Sequence, residues 1–159
     1  MLAPLAQAGP AAAADDTRSY RPPLDAPVVD PFRPPAAPWL PGNRGLEYAP
    51  TSGMSVRAIG PGVVTFAGPV AGSLHITVRH PDGLRSSYSY VAAIRVRPGD
   101  AVAAGDTVAV AADRLHLGVR RGDTYLDPAS LWGRRVVGGR ASLVPVVRRA
   151  ARQALGWSP

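Results

Sequence analysis

Few side chains in this sequence can do acid–base or metal chemistry. There are three histidines, His75, His80 and His116, one glutamate, Glu47, and neither cysteine nor lysine. Without cysteine there are no disulfides, thiolate metal sites or cysteine nucleophiles. Without lysine there are no Schiff bases, phosphate-loop lysines or lysine-tethered biotin and lipoyl groups. His75 and His80 flank Ile-Thr-Val-Arg in one β-type run and sit five positions apart, so the pleat turns them to opposite faces and they make a poor metal pair. His80, just before Pro81-Asp82-Gly83, reads as a turn histidine and His75 as a sheet-surface one. Arg114 and His116 alternate in RLHLGVR and share a face. Ser86, Ser87 and Ser89 alternate with Tyr88 and Tyr90, and no histidine at motif spacing marks any of the serines as a nucleophile. The same alternation puts Tyr88 and Tyr90 on one face, where they are expected to line a groove.

The elements that carry these residues are short. With 159 residues, of which 17 are glycine and 18 proline, the chain suits one domain rich in turns rather than a helical bundle. From Ser55 onward, runs rich in Val, Ile, Thr and Tyr alternate with glycine turns: 55–59, 62–70, 74–80, 84–91, 93–96, 107–111 and 114–120. This is the pattern of an antiparallel all-β domain. The Pro-rich stretch before residue 41 is expected to lie on that domain as extended chain, docking through Val28, Val29, Phe32 and Trp39. Residues 1–19 read as a disordered Ala/Pro leader or the remnant of an export signal, residues 20–133 as the domain, and residues 134–159 as a basic tail with a short helix from about Val144.

Charge follows the same division. The tail carries six arginines and no acid, out of a net charge of +7 for the whole chain. The high pI is therefore mainly a property of the tail, which suits contact with an anionic surface better than a nucleic-acid-binding face. No run of 18 apolar residues exists to span a membrane.

Five segments in fixed order carry a family resemblance: PGNRGLEYAP (41–50), VRAIGPGVVTFAGPV (56–70), HPDGLRSSYSYV (80–91), VRPGDAVAAGDTV (96–108) and RLHLGVRRGDTYLDP (114–128). Together they resemble the lysostaphin-like (LytM) zinc metallopeptidases that cleave peptidoglycan, in particular divergent exported actinobacterial members. The resemblance implies an antiparallel two-sheet LytM-like domain. It also implies a zinc held by an H-x-x-x-D segment and by the second histidine of H-x-H. Three such ligands leave a fourth position where the metal lowers the pKa of water and polarises a carbonyl.

Carried over by position, the resemblance puts Asn43 and Glu47 at the first two ligand positions and His116 at the third. Tyr90 and Arg114 stand where assisting histidines would be. An amide is a poor zinc donor, a guanidinium cannot accept a proton, and a phenol is a poor base at neutral pH. The expectation is thus a non-catalytic, extracytoplasmic domain that binds peptidoglycan or regulates a cell-wall hydrolase, with no cofactor. Glu47 and Arg114 are expected to pair in the vacated site. The alternative is an active zinc endopeptidase with atypical ligands. The V-x-x-G-D-x-V hairpins also suit a biotinyl or lipoyl carrier, which the absence of lysine excludes.

Overall fold

The computed structural model describes residues 18–37 and 39–137. The leader and most of the basic tail, including its expected helix, lie outside the described residues. Nine strands form one hydrogen-bonded antiparallel sheet. They are β1 (Val28–Asp30), β2 (Gly45–Tyr48), β3 (Ser55–Arg57), β4 (Gly62–Val70), β5 (Ser73–Arg79), β6 (Leu84–Ile94), β7 (Ala101–Val102), β8 (Thr107–Arg121) and β9 (Thr124–Leu126). The main order is β1-β2-β8-β6-β5-β4-β7. β8 gives one edge to β6 along most of its length and divides the other among β3, β2 and β9. Buried residues of β3 and β8 (Val56, Val108) join those of β4 and β5 (Val64, Ile76, Val78) in a single core cluster. The sheet therefore closes over its own apolar face.

The expected β runs hold for β4, which matches 62–70, but two breaks vanish. Runs 107–111 and 114–120 are one strand, as are 84–91 and the first half of 93–96. Ala112 and Asp113 stay in β8 because Thr51 takes up their carbonyls, the hydroxyl donating to Ala112 O at 2.7 Å and the backbone N–H to Asp113 O at 3.0 Å. The exposed Asp113 thus passes through a strand without a loop.

The N-terminal segment docks through Phe32, as expected, but otherwise through residues the sequence did not single out. Trp39 is 82% exposed and Val29 59%, whereas Tyr20 and Leu24 are buried. Tyr20 is held because its N–H donates to Arg134 O and its carbonyl accepts from Gly133 N, while its hydroxyl donates to both carboxylate oxygens of Asp82 at 3.0 and 3.1 Å. Burial and the Asp82 carboxylate both hold the Tyr20 phenol far above its ordinary pKa. At the other end, Asp127 accepts from Ala129 N at 2.9 Å and caps a 3-10 helix over Pro128–Leu131.

Beneath the functional face, polar groups are bonded in a buried chain. His80 Nδ1 meets Pro61 O at 2.8 Å, and Nε2 meets Ser86 Oγ at 2.9 Å. Ser86 Oγ lies 3.3 Å from the Tyr88 hydroxyl, which accepts from Ile59 N at 2.8 Å. Tyr88→Phe would orphan a buried backbone N–H, and we expect a loss of about 1–2 kcal/mol in urea unfolding. Burial lowers the His80 pKa below 6.5, so the native state holds the ring neutral while the unfolded chain protonates it. The unfolded state then binds more protons as pH falls through the unfolded pKa near 6.5. Stability attributable to His80 is complete above that pH and is lost below it, with a slope of up to about 1.4 kcal/mol per pH unit. Unfolding midpoints measured between pH 7.5 and 5 should show this slope in the wild type and not in His80→Gln.

Candidate functional site

Four strands bring the site together through their register. Glu47 on β2 lies directly opposite His116 on β8, and His116 lies opposite Ser89 on β6, which lies opposite His75 on β5. All point away from the core, because their sequence neighbours Leu46, Tyr48, Leu115, Leu117 and Tyr88 are buried. Close approach of β2 and β8 depends on Gly45, where a Cβ would run into Leu117 O and lie 2.9 Å from His116 Cε1.

His116 Nδ1 and Glu47 Oε1 are 2.9 Å apart, with each side chain 21% exposed. The expected Glu47–Arg114 pair does not form. Cross-strand register puts Glu47 against His116, while Arg114, two residues earlier, places its guanidinium 4.2 Å from the centre of the Tyr90 ring. This cation–π contact is worth about 0.5–1 kcal/mol at an exposed site. The other carboxylate oxygen, Glu47 Oε2, is buried without a hydrogen-bond partner among the described residues.

Asn43 comes to the site but its amide is already committed. Nδ2 donates to Asp30 O at 3.0 Å and Oδ1 accepts from Gly45 N at 3.1 Å, in a residue only 6% exposed. The amide works as a loop clasp, orienting the turn that delivers Glu47.

Tyr88 and Tyr90 do not share a face. Tyr88 is fully buried, with its phenol pushed up to about 12 by that burial. The alternation fails at a register shift between Ser89 and Val91, where Tyr90 adopts φ +64°. The left-handed backbone turns the Tyr90 ring into the cavity. Such a conformation costs a non-glycine residue about 1–2 kcal/mol, and histidine tolerates it better than tyrosine. Ser89, passed over in the sequence, sits on the groove face with its Oγ 2.8 Å from His75 Nδ1. Only knowledge of the β5–β6 register could have found this pair, since the two residues are 14 apart.

These residues line a cavity of about 390 Å³ that includes Asn43, Glu47, Ser89, Tyr90 and His116. Their donor set does not fit a structural or catalytic zinc. His116 and Glu47 supply two donors, the remaining ligand position, Asn43, is a neutral amide whose two heteroatoms are hydrogen-bonded, and a guanidinium stands nearby. No cluster of three or more His, Cys, Asp or Glu occurs among the described residues.

The model of peptidase family M23 matches residues 41–128. The uncharacterized protein Rv2891 of Mycobacterium tuberculosis is 39% identical over 134 residues, which cover 74% of this chain and 53% of that protein. The chain thus spans about half the length of the curated relatives it matches. Among solved structures, Csd3 of Helicobacter pylori superposes with a TM-score of 0.65 at 20% identity, covering 77% of this chain and 37% of that one. A chain of the SpoIIQ–SpoIIIAH pore-forming complex gives 0.63 at 19% identity, covering 76% and 94%. Lysostaphin gives 0.61 at 21% identity, covering 72% and 53%. At these identities the structures show a shared fold, the LytM-like all-β domain. Among the described residues no helix is long and apolar enough to cross a membrane.

Proposed function

Because the chain belongs to peptidase family M23, we propose that it uses the family's groove without the family's hydrolysis, as an extracytoplasmic domain that binds peptidoglycan. One observation carries this reading: the amide at the first ligand position is spent on Asp30 O and Gly45 N, while His116 is spent on Glu47. The imidazole–carboxylate contact engages two of the groups a metal would need, and the groove around it has a largely polar lining. Regulation of a cell-wall hydrolase is compatible with the same surface. That a chain of this fold occurs in the SpoIIQ–SpoIIIAH pore-forming complex supports such a partner role.

A second reading, an active zinc endopeptidase with atypical ligands, has one observation in its favour. Glu47 Oε2 is buried without a partner, beside an imidazole. Co-sedimentation with purified, protein-free sacculi tests the first reading. Saturable binding that survives chelation and weakens when Tyr90 and Ser89 are replaced by Ala supports it. Absence of binding overturns it.

A further inference from the structure

We propose that the groove face carries, next to the site described above, a binding site for the phosphoryl group of a small polyol or sugar phosphate. The observation is a ladder of like charges. Arg79 on β5 lies directly opposite Arg85 on β6, and Arg85 lies directly opposite Arg120 on β8. All three point outward on the face that holds His75, Ser87 and His116, because Val78, Leu84, Ser86 and Val119 beside them are buried. Neighbouring strands are about 4.8 Å apart, so three permanent cations fall within roughly 10 Å. Like charges set directly opposite destabilise a sheet. No ion pair or hydrogen bond with an acid relieves any of the three among the described residues.

Two of these arginines open onto a cavity of about 400 Å³, lined also by His75, Thr77, Ser87 and Tyr125, with no acid in its lining. Phe66 and Val70 complete the lining beside these hydroxyl and imidazole groups. Ser87 Oγ makes only a 3.4 Å contact with Gly118 O, so it is available to a ligand. His75 has its Nδ1 held by Ser89, which leaves Nε2 as its uncommitted ring nitrogen.

The chemistry of the pocket selects its ligand. Two guanidinium forks on adjacent strands offer more donors than the two oxygens of a carboxylate can accept, and they match the three oxygens and up to two charges of a phosphate ester. The hydroxyl and imidazole groups of Thr77, Ser87, Tyr125 and His75 suit the hydroxyls of a polyol, and the nucleotide tests whether the Phe66 and Tyr125 rings favour a base instead. This site lies beyond the ligand positions of the zinc family, and it stands or falls independently of peptidoglycan binding.

The test is calorimetric titration of the full chain with glycerol 1-phosphate, with inorganic phosphate, acetate and a nucleoside 5′-monophosphate compared at matched ionic strength. The expected result is one saturable site for glycerol 1-phosphate that acetate does not fill. Affinity should fall at least tenfold in R85Q/R120Q and by less than about twofold in R57Q/R97Q, which removes the same charge from exposed positions elsewhere. R85Q alone should unfold at a higher temperature than the wild type without ligand, since it breaks the ladder, and it should gain less from added phosphate. Equal weakening in both double variants, equal binding of acetate, tighter binding of the nucleotide, or no saturable binding would each overturn the proposal.

Discussion

A variant carrying Asn43→His, Glu47→Asp, Tyr90→His and Arg114→His should retain one zinc per chain through dialysis, where the wild-type chain retains none. Each change removes a specific obstacle. Asn43→His replaces a committed amide with an imidazole donor. Glu47→Asp shortens the arm that now reaches His116 Nδ1 at 2.9 Å. Arg114→His removes a permanent cation, and Tyr90→His places a better-tolerated side chain at a left-handed backbone position. We expect the gain in zinc affinity to exceed about 100-fold, since loss of orienting groups around a ligand alone costs 10- to 100-fold. The single changes should fall well short of this. Asn43→His alone leaves the guanidinium in place, and Arg114→His alone leaves only two donors. Metal content measured by plasma emission after dialysis reads the outcome.

The second large effect is expected at Gly45. A methyl group there would meet Leu117 O on β8, and backbone carbonyl on a central strand cannot swing aside as a flexible side chain would. Gly45→Ala must push β2 away from β8, and with it the Glu47–His116 contact. We expect a loss of about 3 kcal/mol or more, at or above the top of the range for overpacked positions. Urea unfolding should show it, and the His116 imidazole resonances should shift in the same variant. Gly72, by contrast, has open space around its Cβ position, so the penalty for alanine there is limited to its φ of +82°.

Much of the architecture was legible from local pattern. β4 ran from one glycine turn to the next and was read with its boundaries. What local pattern missed was non-local. Thr51, some 60 residues away in sequence, keeps Ala112 and Asp113 in a continuous strand. The assumption of strict alternation failed at Tyr90, where a bulge and a positive φ reverse the facing and leave Tyr88 in the core.

The site shows the same limit. Asn43, Glu47, Tyr90, Arg114 and His116 were identified by position, and the structure gathers them on one side of the sheet. Their partners were not legible. Glu47 pairs with His116 rather than Arg114 because register, not charge alone, decides which groups meet. Ser89, His75 and the arginine ladder emerge only when three strands are laid side by side.

The most direct test of the central claim is release of soluble muropeptides from purified sacculi by the wild-type chain supplied with zinc, followed by chromatography. The account predicts no release above the protein-free control, with or without a chelator. Cleavage of peptide crosslinks that zinc supports and chelation abolishes would contradict it.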